Sequence, residues 1–345
     1  MLVDGAATAS ARAVWRRVFL VGLLLAVVAV LSLAPHLTAS TDIVKLRNAL
    51  LLGDNRDVDF NWAPANIPAD FELERGPIDP FFAEVAERLG LAALPDDWAR
   101  VAAISRHLLG SSNTLNGGAV QSDLRGTYSR ITKDGDGYCG DFVRTFMAIA
   151  LASGVPVRAW AFSFDGFGGH GHIWPEIWNR QSRHWQLVDV YNNYYFYETP
   201  GEPLSAMEFR GAMLSGSRTL KMAALDPTAR PGWKIEEKAW DYYRSGLAEW
   251  YMLWGNNVFT YDRSSLVTLL AGVSRSLEQF GGIVQGVSPA LQILVTPENQ
   301  RQVKALERVR LHLQIVGAAL AISFLIMVIS LSRWFWLRRK RQGLR

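Results

Sequence analysis

The chain carries one cysteine, Cys139, in the segment DGDGYCGDF. Downstream of it Phe142, Phe146 and Ile149 fall on one stripe, which predicts a helix over 138–151 with the cysteine in its first turn. The start of a helix holds backbone N–H groups without acceptors and the positive end of the macrodipole. A thiol held there is biased toward thiolate, the nucleophilic form. Gly135, Gly137 and Gly140 leave the backbone open to an approaching substrate, and the Cys139 amide is set to stabilise a developing oxyanion. A nucleophile of this kind needs a base, and the base needs a group to orient it. Residues 172–178 and 184–190 alternate as strands about a polar turn at 179–183. Pairing Asn179 with His184 sets Trp178 against Trp185. The same register brings His172 diagonal to Asp189 on one face, a spacing of ~7–8 Å between backbones. A carboxylate on one ring nitrogen fixes the tautomer and frees the other nitrogen for a thiol proton.

The elements that would position these groups are legible on either side. A short helix at 81–89 follows Asp79-Pro80, and a second at 95–109 shows Trp98, Val101, Ile104 and Leu108 at helical spacing. Residues 111–137 are rich in Gly, Ser, Asn and Asp and read as loop. Ser153-Gly154 with Pro156 stops the cysteine helix, and a β-rich strand follows at 157–164. From Trp233 onward Trp240, Tyr243, Leu247, Trp250 and Trp254 recur every three or four residues, a helical stripe. Three readings fit that stripe: core packing, placement at a membrane interface, or a substrate groove.

The 345 residues are 49 % apolar and 20 % charged, which excludes a disordered chain, and one cysteine excludes an internal disulfide framework. Uncharged apolar runs at 18–34 and 315–331 have the length of bilayer-crossing helices. The first has a long flank and a poor cleavage site, so it reads as an uncleaved anchor rather than a signal peptide. The net charge of +4 divides into +2 on residues 1–17, +6 on 332–345 and −4 between them. Basic charge beside each span marks the cytoplasmic side. The acidic middle removes the composition argument for a nucleic-acid partner.

GYCGDFVRTFMAIALASGVPVRAW, then GHIWPEIW, then HWQLVDV, resembles the core of the transglutaminase-like superfamily, with its papain-like Cys-His-Asp arrangement. The resemblance covers roughly 95–195. It implies an α+β fold, a cysteine-bearing helix packed on an antiparallel sheet, here flanked by two transmembrane helices. It also implies Cys139 as nucleophile, His172 as general acid and base, and Asp189 as orienter. Trp174, Glu176 and Trp185 match positions usually structural in the family. The upstream oxyanion side chain of papain-like enzymes has no evident counterpart. Gln121 is a candidate by residue type, and Tyr138 and Trp174 are candidates to line the pocket.

The expected organisation is a cytoplasmic tail at 1–17, a span at 18–35, an extracytoplasmic extension at 36–94 and the catalytic core at 95–200. A mostly helical extracytoplasmic region at 201–310, a second span at 311–332 and a basic cytoplasmic tail at 333–345 complete it. The expected activity is attack on an amide, ending in hydrolysis or transfer to an amine, with neither metal nor organic cofactor. The expected partners are a peptide or protein substrate outside the cytoplasm, membrane lipid and a neighbouring membrane protein. Two other readings stand beside this one. The fold could serve as a non-catalytic scaffold or binding module in a membrane assembly. Alternatively, His170, His172, Glu176, His184 and Asp189 are metal-ligand types within a short stretch.

Overall fold

A computed structural model describes residues 2–54, 58–110, 123–230 and 232–342. Helix α1 (Leu2–Leu31) leads to α2 (Ser40–Leu51), and α3 (Pro80–Arg88) and α4 (Asp97–Leu109) follow. Then come α5 (Leu124–Asp134) and α6 (Cys139–Ala152), strands β1 (Val157–Ser163), β2 (Gly171–Asn179), β3 (His184–Leu187) and β4 (Tyr194–Tyr197), and α7 (Ala206–Ser215). The remainder is β5 (Lys221–Ala224), α8 (Glu236–Ser245), β6 (Glu249–Leu253), α9 (Val258–Asp262), α10 (Ser265–Ala271), α11 (Arg275–Val284), β7 (Leu291–Ile293) and α12 (Gln300–Gln342).

The centre is a five-stranded antiparallel sheet ordered β3-β2-β1-β6-β7. Every residue of β1 is buried, because the sheet is covered on both faces. Val157 and Ala159 face the helical layer, where α6 supplies Phe142, Phe146 and Ile149 and α3 to α5 supply Phe82, Val101, Ile104 and Ile131. Trp160 and Phe162 face an aromatic layer of Phe60, Trp62, Phe71, Trp174, Phe209, Tyr243 and Trp250. The β2–β3 hairpin has the expected register, with Asn179 opposite His184 and Trp178 opposite Trp185.

The local signals act where the sequence puts them. Asp79 and Asp96 cap α3 and α4 by accepting from Phe81 N at 3.0 Å and Ala99 N at 2.7 Å. Gly154 follows the end of α6 at φ +74°, a conformation that costs glycine nothing. Four expectations change. Residues read as loop include α5, whose Leu124, Tyr128 and Ile131 are buried beneath a polar outer face. The aromatic stripe of 240–254 is not one helix. α8 ends at Ser245, Gly246 and Leu247 turn the chain, and Trp250 and Met252 lie in a strand. Aromatics spaced by three and four on each side of a turn mimic a single helical face. The core also does not close at 200, because β6 and β7 complete the sheet. Nor is 36–94 only an extension, since Phe60, Trp62 and Phe71 belong to the aromatic layer.

Two helical segments, Ser10–His36, which runs from α1 through the short turn after it, and Gln300–Arg339 of α12, are long and apolar enough to cross a membrane. They pack antiparallel. Gly22 sits against Ser323, Ile326 and Met327, and Ser32 Oγ lies 3.0 Å from His312 Nε2. A small residue at such a crossing lets the two backbones approach closely.

A buried ion pair joins β1 to β2 in the aromatic layer. Arg158 Nε donates to Glu176 Oε2 at 2.6 Å, and the guanidinium lies 3.9 Å from the Trp185 ring centroid. Glu176 also accepts from Trp160 Nε1 at 2.9 Å and from Ala206 N at 2.7 Å. Removing one partner strands the other charge. Glu176→Ala is expected to destabilise the fold by about 3–5 kcal/mol. Thermal unfolding of the full chain in detergent, against the exposed control Glu202→Ala, checks this.

Candidate active site

Cys139 is the first residue of α6 and is half-buried. Tyr138 precedes it in extended conformation, and its N–H donates to Asp141 Oδ2 at 3.0 Å. Asp141 in turn meets Arg130 at 3.5 Å and Arg275 at 3.6 Å. This cap fixes where the helix begins, and so fixes the sulfur. The amides of Cys139 and Gly140 lie in the turn whose N–H groups have no acceptor within the helix.

His172 comes from the second position of β2, and its Nε2 lies 2.9 Å from Asp189 Oδ2. The imidazole also interacts with the Cys139 thiol, and the interaction favours the charged form of each. With Nε2 on the carboxylate, Nδ1 is the nitrogen left for the sulfur. Asp189 lies just past the last residue of β3 and bridges to Tyr194, its N–H donating to Tyr194 O at 2.8 Å. Its Oδ2 accepts further hydrogen bonds from Asn192 Nδ2 at 2.9 Å and Tyr243 Oη at 2.7 Å. Its Oδ1 accepts from Asn192 N at 3.0 Å.

The charges follow from these contacts. Burial opposes the His172 cation, but Asp189 and the thiol outweigh it and raise the imidazole from 6.5 to about 10. Burial raises the Cys139 thiol. The hydrogen bond and charge of His172, with a bond from the Ile173 backbone, outweigh that and leave it below its ordinary value. Burial likewise works against the Asp189 carboxylate, while His172 and Asn192 hold it below the usual carboxylate range. The thiol and the imidazole are thus each shifted toward their charged forms beside a buried carboxylate, and the pair titrates as a unit. Two phenols stand close. Tyr191 is pushed up to about 12 by burial and by the negative charge on Cys139, and Tyr242 is raised for the same reasons. Both stay neutral.

The structure therefore brings Cys139, His172 and Asp189 together. Tyr138 stands beside them, 43 % exposed. Trp174 does not line the opening. It is fully buried behind His172, its ring 5.4 Å from the imidazole and 5.4 Å from the Tyr243 ring. As the next even position of β2 after His172, its side chain runs into the aromatic layer. Gln121 lies outside the described residues. The residues considered as metal ligands are dispersed. His170 turns to Asp165 at 3.3 Å, His184 pairs with Glu208 at 2.8 Å, and Glu176 is held by Arg158. Among the described residues no three His, Cys, Asp or Glu side chains form a metal-binding group.

Sequence reading missed Asn192, Tyr191, Tyr242 and Tyr243. Asn192 had a local signal, since Asp189-x-x-Asn192 closes a turn through its own backbone. Tyr242 and Tyr243 had none, because α8 is distant in sequence.

Residues 86–190 match the family model described as the Transglutaminase-like superfamily. No curated protein and no solved structure shows significant similarity to the chain.

Two predictions follow from the charge arrangement. The thiolate depends on the imidazolium, so alkylation of Cys139 by iodoacetamide is expected to begin at lower pH than for a free thiol. In His172→Ala the midpoint is expected to rise toward the ordinary thiol value of about 8.5. Asp189→Asn should fall between the two, because the imidazole loses the anion that keeps it charged. The pH profile of the labelling rate measures all three. Tyr243→Phe removes one donor from a buried, charged oxygen and should destabilise the fold by about 1.5–3 kcal/mol. Thermal unfolding beside the conservative Tyr242→Phe checks that value.

Proposed function

We propose that this chain, with its transglutaminase-like domain, is a membrane-anchored cysteine acyl-transfer enzyme that attacks amide bonds through Cys139, His172 and Asp189. One observation carries the reading. A half-buried thiol at a helix start interacts with an imidazole whose Nε2 is 2.9 Å from a buried carboxylate, and each of the two is shifted toward its charged form.

In this reading the Cys139 sulfur forms a bond to the carbonyl carbon, and the amides of the first turn of α6 face the resulting oxyanion. His172 passes its proton to the leaving amine as the carbon–nitrogen bond breaks, leaving a thioester. Water or an incoming amine then attacks the thioester, gives a proton to His172, and the thiolate leaves. Asp189 keeps its charge throughout and steadies the imidazole. Tyr191 and Tyr242, neutral at working pH, wall the imidazole from bulk water.

The apolar helices α1 and α12 are taken as two spans that hold the domain on one side of a membrane. Basic charge at both tails assigns that side as extracytoplasmic, with both termini inside. A peptide or protein outside the cytoplasm is then the substrate. Hydrolysis is favoured over transfer because water is the default acceptor there.

Incubation of the purified chain with a glutamine-containing peptide, with and without a primary amine, is expected to leave an acyl adduct on Cys139, detectable by intact mass. Cys139→Ala should show no adduct and no product while unfolding at the same temperature. Product formation by Cys139→Ala would refute the assignment. A folded wild-type chain with an unreactive thiol would favour a binding module.

A further inference from the structure

The catalytic end of the sheet is tied to the point where the first apolar segment ends. That segment runs to His36, and α2 begins at Ser40. The first half of α2 grips the loop between β1 and β2. The Thr41 hydroxyl bonds Asp165 and accepts from Gly169 N at 2.7 Å, and Lys45 Nζ donates to Asp165 O at 3.0 Å. Asn48 Nδ2 donates to Phe167 O at 2.8 Å. This loop feeds directly into Gly171 and His172. The other end of α2 points away, since Leu52 bridges to Leu291 of β7. The His172 end of β2 is therefore the end nearest the apolar segment.

A second feature lies on the same side. α11 packs on α2, and Arg275 at its start reaches Asp141, two residues beyond Cys139. The α10–α11 hairpin buries Gly281 and Gly282, yet it holds Leu269 and Val273 71 % exposed, Phe280 52 % and Val284 60 %. Leu277, Phe280 and Val284 follow the helical period on the outward face. An apolar helix face near an apolar segment, with nothing among the described residues covering it, is the signature of an interfacial helix. Tyr138, next to Cys139, is 43 % exposed, an amphipathic ring of the type enriched at the headgroup level.

We propose that the α10–α11 hairpin lies in the headgroup–acyl boundary of the leaflet from which the two spans emerge, so that Cys139 works at the bilayer surface. The substrate class is then a peptide whose amide is held at that surface by its own lipid or membrane anchor. The docking rests on the two-span reading, and the substrate class rests also on the acyl-transfer reading.

Depth measurement separates these. In the Cys139→Ser chain, Val273→Cys or Phe280→Cys carries the single thiol for a nitrobenzoxadiazole label. The full chain is reconstituted in phosphatidylcholine–phosphatidylglycerol vesicles. The label is expected to be quenched by doxyl-labelled lipid and shielded from iodide, while a Glu202→Cys control is quenched by iodide. Iodide quenching equal to the control overturns the docking. Shielding that rises with protein density at fixed lipid also overturns it, in favour of a second copy. With Cys139 intact, Leu269→Asp with Val273→Asp should slow turnover of a lipid-tethered peptide at least about 10-fold and leave the untethered peptide unchanged. Equal loss on both peptides overturns the substrate class. A lipid-buried label with neither peptide consumed upholds the docking and overturns the acyl-transfer reading.

Discussion

One carboxylate oxygen organises the site. Asp189 Oδ2 lies within hydrogen-bond distance of His172, Asn192 and Tyr243, groups drawn from β2, the turn after β3 and α8. A buried anion is stable only when donors replace its lost water, and each donor here is itself fixed by packing. The imidazole is consequently charged and held in one orientation, and the thiol beside it is shifted toward thiolate. Loss of the carboxylate would affect all three groups, because their protonation is one coupled equilibrium.

The sheet keeps two buried charges apart. Asp189 with His172 lies toward one end of β2, and Glu176 with Arg158 lies further along it. The two serve different ends. Glu176 is saturated by Arg158, Trp160 and the Ala206 amide, and the Arg158 guanidinium lies 4.7 Å from the Trp62 ring centroid and 3.9 Å from that of Trp185. This pair locks the N-terminal segment holding Trp62, the hairpin and α7 onto one another. Asp189 instead meets His172, and through that imidazole it influences the half-buried thiol of Cys139.

The site was legible where it depends on period and register. Alternation along β2 and the Trp178–Trp185 pair fix the hairpin, and the hairpin sets His172 near Asp189. The helix start at Cys139 was equally clear from Phe142, Phe146 and Ile149. What stayed hidden depends on long-range contact. Tyr243 reaches Asp189 across 54 residues of sequence, and no local pattern encodes that. β6 was concealed because its aromatics continue the spacing of α8 across Gly246. α5 was concealed because Arg125, Gly126 and Lys133 among its polar residues masked the Leu124, Tyr128 and Ile131 stripe. Trp174 was misplaced for a simpler reason. Sharing a face with His172 puts a side chain on the same side of the sheet, and along β2 that side passes from the opening into the aromatic core.

The joint between α2 and the β1–β2 loop bears on how the domain can be carried. A domain hung from two spans by flexible linkers would present its site in every direction. Here the segment between α1 and α2 is short, and α2 is clamped to the loop by side chains from three successive turns, Thr41, Lys45 and Asn48. Toward the other end of α2, Val303 and Leu306 of α12 pack with Ala49, Leu52 and Ile293 in one apolar cluster. α12 continues from that cluster without a break into its apolar half, and α-helices of this length bend only gently. A continuous helix packed against a pinned one limits the tilt of the sheet relative to the pair of apolar helices. That geometry leaves the opening at Cys139 little freedom to turn away from whatever surface the apolar helices enter.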